Sequence, residues 1–118
     1  MKPNNKWIDD WQIGEQPSRE KDISTDLVKF FVDFWSKQKI DEKSKTTRTR
    51  HLSSLHAIGG YLVEQSILYE DLGKTANELL SKYIGSYDGP LIFHDNERWQ
   101  GEVDMICRKI HKYMNGKC

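Results

Sequence analysis

The sequence predicts an all-α protein, because apolar residues recur at spacings of three and four and no alternating strand pattern stands out. Residues suited to helix capping precede several of these amphipathic stretches. The 118 residues are 36% hydrophobic and 11% aromatic, which supports one modest core. We therefore expect a partly flexible N-terminal arm over residues 1–22 and a single helical domain over residues 23–118.

The arm is predicted from Pro3, Gly14 and Pro17, which interrupt any long element. Its two tryptophans, Trp7 and Trp11, are four residues apart and fit one amphipathic turn that docks on the domain. A flexible terminus with one apolar anchor is the alternative. An exposed arm would offer Trp7 and Trp11 to a second copy of the chain or to another protein.

The first long helix is predicted from about Thr25 to Lys39, with Ser24 or Thr25 as its cap. Its apolar residues form a broad face that indicates burial. These are Leu27, Phe30, Phe31, Phe34 and Trp35. Aromatic residues at this spacing are typical of a core rather than of a cofactor site.

The second helix is predicted from Lys43 to Glu64, with Ser44 or Thr46 as its cap. Its apolar stripe comprises Leu52, Leu55, Ile58 and Leu62, and a separate flank carries Lys43, Thr47, Arg50, Ser54 and Tyr61. Cations and hydroxyl groups on one flank suit contact with phosphates, whereas an ordinary solvated face is the alternative. Gly59 and Gly60 indicate a close helix crossing rather than a kink.

Two further helices are predicted towards the C-terminus. The shorter runs from Thr75 to Ile84 and begins with a capping box formed by Thr75 and Glu78. The longer runs from about Asn96 to Asn115, capped by Asp95 or Asn96 and stopped by Gly116. Its apolar stripe comprises Trp99, Val103, Ile106, Ile110 and Tyr113, and one flank carries Arg98, Lys109 and Lys112 near Glu102.

Positive charge is concentrated in two segments, although 18 cationic and 18 acidic residues leave the chain neutral. Residues 43–66 carry a net charge of +3 and residues 96–118 carry +2, whereas residues 1–42 carry −2 and residues 67–95 carry −3. This small excess favours weak or partner-assisted nucleic-acid binding. The acidic residues Glu70, Asp71 and Glu78 read as a solvated surface patch.

The sequence gives no positive support for an enzyme, a metal site or a bound cofactor. It contains no glycine-rich phosphate loop after a strand and no CxxC or HExxH motif, and its histidines are not spaced to form a helical metal pair. Cys107 within an apolar pattern and Cys118 at the last position indicate no disulfide framework. We expect a cytoplasmic protein without a membrane span, since no apolar run approaches ~20 residues.

The order of the helices resembles the N-terminal core-binding domain of phage-integrase-type tyrosine recombinases. The resemblance starts at LVKFFVDFWSKQ and sharpens at SKTTRTRHLSSLHAIGGYL, where Thr47, Leu55, Ile58 and Leu62 fit the family pattern. His51 stands where that family usually has an aromatic residue such as Tyr. The segments ILYEDLGKTANELLSKYI and ERWQGEVDMICRKIHKYM are similar to its later helices, so the match covers roughly residues 23–115.

This resemblance implies a four-helix, SAM-like orthogonal bundle whose second and fourth helices face double-stranded DNA. It implies phosphate contacts by Lys43, Lys45, Thr47, Arg48, Arg50, Arg98, Lys109 and Lys112. Arg48 also extends the apolar stripe, so covering the end of the bundle is its alternative role. The catalytic residues of that family lie in a separate domain for which 118 residues leave no room, so strand cleavage is not expected. The competing hypothesis is a helical protein-interaction module that has lost DNA binding.

Overall fold

Five α-helices organise residues 2–116, which is the part of the chain that the computed structural model describes. They are α1 (Lys6–Asp10), α2 (Pro17–Lys37), α3 (Lys45–Ser66), α4 (Ala76–Tyr83) and α5 (Glu97–Met114), and a short 3-10 turn (Ile40–Glu42) joins α2 to α3. These residues contain no strand. The prediction of an all-α chain is therefore confirmed, while Cys118 lies outside the described residues.

Helix α3 occupies the centre of the fold and packs against α2, α4 and α5. The fully buried side chains of all four helices belong to one core, which includes Phe31, Phe34, Leu55, Ile58, Leu62, Leu79, Leu80, Ile106 and Ile110. The radius of gyration is 13.5 Å, close to the ~13.5 Å expected for one domain of this length. The aromatic face of α2 is therefore core, as its spacing predicts.

Local capping sets where three of the helices begin. The Ser44 hydroxyl accepts a hydrogen bond from the Thr47 amide at 3.2 Å, and Asn96 Oδ1 accepts one from the Trp99 amide at 3.1 Å. Thr75 and Glu78 form the predicted capping box. Each of these side chains satisfies an amide that has no partner within its own helix.

The N-terminal tryptophans lie in the core rather than on an exposed arm. Trp7 and Trp11 are 7% and 4% exposed, and both rings pack edge-on against Phe31. The Trp11 indole also donates a hydrogen bond to the His56 carbonyl of α3 at 3.0 Å. The docked amphipathic turn is thus correct, while contact of Trp7 and Trp11 with a second copy or another protein stays a prediction.

Gly59 makes room for the Trp11 indole. A Cβ atom added at Gly59 would lie 2.1 Å from the ring of Trp11, far inside van der Waals contact. At Gly60 the corresponding distance is 3.3 Å. The predicted helix crossing is therefore wrong here, because the group that approaches both glycines is an aromatic side chain.

Helix α2 begins at Pro17, so the start predicted at Thr25 is wrong. The proline occupies the first helical turn, where its missing N–H costs no hydrogen bond. Within that turn the Glu20 carboxylate is fully buried and accepts hydrogen bonds from four successive amides, those of residues 13–16. The helix therefore crosses the boundary predicted at residue 22 and ties the N-terminal segment to the domain.

Asp71 is buried, which corrects its assignment to a solvated acidic patch. It is 1% exposed, and its Oδ1 accepts a hydrogen bond from the Lys82 ammonium at 2.5 Å while its Oδ2 accepts one from the Tyr83 hydroxyl. Arg19 of α2 reaches the same loop and donates to the carbonyls of Ser66, Asp71 and Lys74. These bonds fix the connection between α3 and α4.

Two further expectations can be compared with the described residues. Cys107 is a free, fully buried thiol in α5, and burial, with Asp104 and Asp88 nearby, raises its pKa to about 12. Within residues 2–116, none of the helices combines the length and the apolar character that crossing a bilayer requires.

Candidate nucleic-acid interface

Four of the eight predicted DNA-contacting residues line one small depression between the start of α3 and the middle of α5. These are Lys43, Thr47, Arg50 and Lys109, and the remaining lining residues are His51, Glu102 and Met105. The depression has a volume of about 280 Å³. Packing of α3 against α5 therefore brings together cations that are about 60 residues apart in the sequence.

The turn before α3 positions the first of these cations. The Trp35 indole donates a hydrogen bond to Asp41 Oδ1 at 2.8 Å, and Ile40 is buried beneath the turn. Arg48 donates to the Asp41 carbonyl at 3.1 Å from the other side. These contacts hold the turn in place, so the chain enters α3 with Lys43 at the rim of the depression.

His51 forms the buried wall of the depression. Its ring is 1% exposed, and its Nε2 lies 3.1 Å from the Lys109 Nζ. Because an ammonium group can only donate, Nε2 must be the acceptor, and the neutral ring then carries its hydrogen on Nδ1. Among the described residues, Nδ1 is buried and has no hydrogen-bond partner.

The cations at this site repel one another in a partly desolvated setting. Burial, followed by the charges of Lys109 and Lys43, lowers the pKa of His51 from 6.5 to about 4. Burial and the neighbouring Lys43 also lower the pKa of Lys109, which Glu102 raises in part. Both shifts have the sign expected where positive charge gathers without enough negative charge nearby.

Glu102 is the acidic residue among those lining the depression. Its Oε1 lies 3.6 Å from an Arg50 guanidinium nitrogen, beyond a good hydrogen bond but within an ion pair. Three cationic side chains and one carboxylate leave the lining with a net charge of +2 when His51 is neutral.

The other four predicted residues lie outside this depression. Lys45, Arg98 and Lys112 are exposed, and Arg98 and Lys112 follow the same stripe of α5 as Glu102 and Lys109. Arg48 is half-buried against the turn before α3, which matches its alternative role at the end of the bundle. Ser54 and Tyr61, which the sequence places on the same flank of α3, do not line the depression either. Ser54 is buried in the packing, and Tyr61 packs edge-on against Tyr83 at 5.5 Å between ring centroids.

Sequence reasoning did not include His51 among the site residues. His51 stands where the resembled family has an aromatic residue, and a lone helical histidine is more often a core residue. The signal was nevertheless present, since His51 follows Thr47 by one helical turn and therefore shares its flank. Its contact with Lys109 depends on how α3 and α5 pair, which the sequence does not reveal.

A second, larger depression of about 590 Å³ lies on another side of α3. Helix α1 and residues 91–94 border it, and its lining includes Trp11, Tyr61 and Phe93. Ile13 and Leu91 at this site are 42% and 59% exposed. A hydrogen bond between His56 Nε2 and Asp10 Oδ2, 3.1 Å apart, closes one edge.

Among residues 2–116, no group of three or more His, Cys, Asp or Glu side chains is arranged to hold a metal ion. Comparison of the chain with protein-family models, with curated proteins and with solved structures found no match in any of the three.

Proposed function

We propose that the chain is a non-catalytic, cytoplasmic module that binds the phosphate backbone of double-stranded DNA through α3 and α5. The observation that carries this proposal is the meeting of Lys43, Thr47, Arg50 and Lys109 around one depression. The resemblance to a recombinase core-binding domain, with its SAM-like orthogonal bundle, points to the same pair of helices.

The chemistry of the depression supports phosphate as the group that it meets. Lysine and arginine donate charge-assisted hydrogen bonds to phosphate oxygens, and such contacts supply most of the affinity in sequence-independent binding. Exposed Lys45, Arg98 and Lys112 lie on the same two helices and extend the cationic surface beyond the depression. With a neutral chain overall, we expect a dissociation constant on the order of 10⁻⁴–10⁻⁶ M at physiological salt.

Fluorescence anisotropy with a labelled duplex of roughly 25 base pairs tests this function directly. We expect binding that weakens steeply between about 50 and 200 mM salt, because counterions are released from the phosphates. The variant K43E/R50E should lose binding. Its matched control is K21E/K29E, which changes the net charge equally on exposed positions of α2.

Equal losses in the two variants would show that only the net charge matters, and this would contradict an interface on α3 and α5. Absence of binding to duplex at low salt would contradict the proposal as a whole. Circular dichroism of each variant establishes that helix content is unchanged.

The 590 Å³ depression favours a second candidate function, that of a protein-interaction module. Exposed Leu91 and Ile13 offer apolar surface at its rim, where an apolar segment of another protein would be desolvated. The discriminating variant is Leu91→Glu, which should abolish binding of such a protein and leave duplex binding unchanged. A loss of duplex binding in this variant would instead tie the loop at residues 91–94 to the DNA interface.

A further inference from the structure

The depression between α3 and α5 contains more hydrogen-bond donors than acceptors. Lys109 uses the one acceptor that His51 provides, and Arg50 has a single carboxylate oxygen at 3.6 Å. Lys43 is exposed at the rim, and its ammonium group makes no hydrogen bond or ion pair with the described residues. Several N–H groups are thus left for a ligand that brings acceptor oxygens and negative charge.

Thr47 adds a neutral donor to this set. The Ser44 hydroxyl donates to the Thr47 hydroxyl oxygen at 3.0 Å and accepts from the Thr47 amide. This arrangement leaves the hydrogen of the Thr47 hydroxyl for another acceptor. The helix cap therefore orients a donor at the edge of the depression, one turn before the buried His51.

The dimensions of the site limit what can enter it. At about 280 Å³ the depression has room for a phosphoryl group but not for a duplex, which can meet it only through a backbone phosphate. The exposed Lys45 lies beside the depression but does not line it. A discrete pocket and a diffuse cationic surface are therefore distinguishable by comparing Lys43 with Lys45.

We propose that this depression is a preformed pocket for one phosphoryl group, held between Lys43, Arg50 and Lys109 with the Thr47 hydroxyl as an additional donor. The inference deepens the proposed function and shares its premise that this face of the protein meets phosphate. The shared chemistry is a tetrahedral oxyanion, whether it belongs to a nucleic-acid backbone or to a free phosphorylated molecule. A bound anion would offset the mutual repulsion of Lys43 and Lys109.

Titration of the full chain with inorganic phosphate, followed by amide chemical shifts at constant ionic strength set with chloride, tests the pocket. We expect saturable shifts concentrated around Thr47, His51 and Lys109. Substitution Lys43→Met should weaken phosphate binding about tenfold, as expected for a lost charge-assisted contact. The matched substitution Lys45→Met removes the same charge two residues away and should change the affinity by less than about twofold.

Substitution Glu102→Gln tests the pocket in the opposite direction, because the carboxylate competes with phosphate for Arg50. We expect this variant to bind phosphate more tightly than the unaltered chain. Sulfate, titrated in parallel, should shift the same amides, since it has the same tetrahedral arrangement of oxygens. Shifts that stay linear, spread over the whole surface or fall equally in K43M and K45M would overturn the pocket.

The duplex titration separates this inference from the proposed function. Duplex binding without a saturable phosphate response would overturn the pocket and leave DNA binding intact. A saturable phosphate response without duplex binding would support the pocket and overturn DNA binding, and a small phosphorylated molecule would then be the ligand. Responses to both, each weakened by Lys43→Met, would support a pocket that receives a phosphate of the DNA backbone.

Discussion

Gly59 and Gly101 both lie inside helices, but their surroundings give an added methyl group opposite consequences. At Gly101 in α5 nothing lies within 4 Å of the added Cβ, so alanine fits without strain. Alanine also lowers the conformational entropy of the unfolded chain, which stabilises the folded state. We expect Gly101→Ala to raise the free energy of unfolding by about 0.5–1 kcal/mol. At Gly59 the added Cβ would meet the Trp11 ring at 2.1 Å, so Gly59→Ala should destabilise by about 2 kcal/mol or more.

Urea denaturation followed by tryptophan fluorescence measures both substitutions. A stabilising Gly59→Ala would contradict the packing of Trp11 against α3. The sequence predicted a helix crossing at Gly59, because Gly59 lies on the same side of the helix as Leu55 and Leu62. It did not identify the indole, because the contact joins residues 48 positions apart and no local pattern encodes it.

Glu20 is a buried carboxylate whose four amide donors make it a structural residue. Burial alone would raise the pKa of Glu20, but the four backbone hydrogen bonds outweigh it and hold the pKa below the ordinary 4.5. Glu20→Gln replaces one acceptor oxygen by an NH₂ group, so two of the four amides of residues 13–16 lose their acceptor. We expect a loss of about 2–3 kcal/mol in the free energy of unfolding.

The matched control is Glu15→Gln, whose exposed side chain should change stability by less than about 0.5 kcal/mol. Since the folded-state pKa of Glu20 is depressed, its contribution is present above pH 4.5 and is lost as the pH falls further. The difference between the unaltered chain and Glu20→Gln should therefore shrink in acid. A difference that stays constant from pH 7 to pH 3 would contradict this role for the carboxylate.

At the scale of whole elements, the sequence predicted helices α3, α4 and α5 closely and α1 and α2 less well. The caps Ser44, Thr75 and Asn96 accept hydrogen bonds from amides three residues further along, so a short sequence window contains the whole interaction. The first two turns of α2 are polar and carry no apolar stripe. They are helical because the Glu20 carboxylate binds the amides of the preceding loop at the helix start. Hydrophobic periodicity cannot predict such a contact.

Helix α1 is an integral part of the core, and a paired substitution tests this directly. Truncating a buried tryptophan to alanine typically costs about 3–5 kcal/mol. Because Trp7 and Trp11 pack against each other, we expect W7A/W11A to lose at least about 5 kcal/mol, comparable with the whole stability of a small domain. Circular dichroism should show reduced helix content and a less cooperative thermal transition.

The control for α1 is K6A/D9A, which alters two exposed residues of the same helix. The free energy of unfolding of this variant should differ from that of the unaltered chain by less than about 1 kcal/mol. Cooperative unfolding of W7A/W11A near the unaltered midpoint would show instead that α1 is a dispensable appendage. Trp7 and Trp11 would then be better explained by the predicted contact with a second copy or another protein than by a role in the core.

Across the whole molecule, the charge pattern of the sequence and the pairing of its helices together define the candidate interface. The segments with net positive charge were visible in the sequence, but their meeting depends on the crossing of α3 and α5. Arg98 and Lys112 follow the predicted stripe yet lie outside the depression, because it reaches only the middle of α5. Sequence periodicity orders residues around a helix, whereas only packing decides which turn faces a neighbour.

Three buried ionisable groups in separate parts of the fold respond to acid in the same direction. The pKa of Glu20 and that of Asp71 are both held low, because hydrogen bonds from the protein outweigh the effect of burial. The pKa of His51 is lowered to about 4 by burial and by the charges of Lys109 and Lys43. In each case the unfolded chain binds the proton more tightly, so falling pH favours unfolding.

The pH range in which His51 affects stability lies above the range of the two carboxylates. Its contribution can therefore be measured separately from theirs. The contribution of neutral His51 to stability is complete above pH 6.5 and is lost as the pH falls towards 4. Arg50 and Glu102 line the same depression as the ring. Substitution His51→Asn removes the titrating group, and we expect it to flatten the stability curve between pH 6.5 and 4.5. Below pH 4.5 the slope due to Glu20 and Asp71 should persist in the variant. An unchanged slope above pH 4.5 would mean that the pKa of His51 is the same in the folded and unfolded chain. It would contradict the effects of burial, Lys109 and Lys43 on this ring.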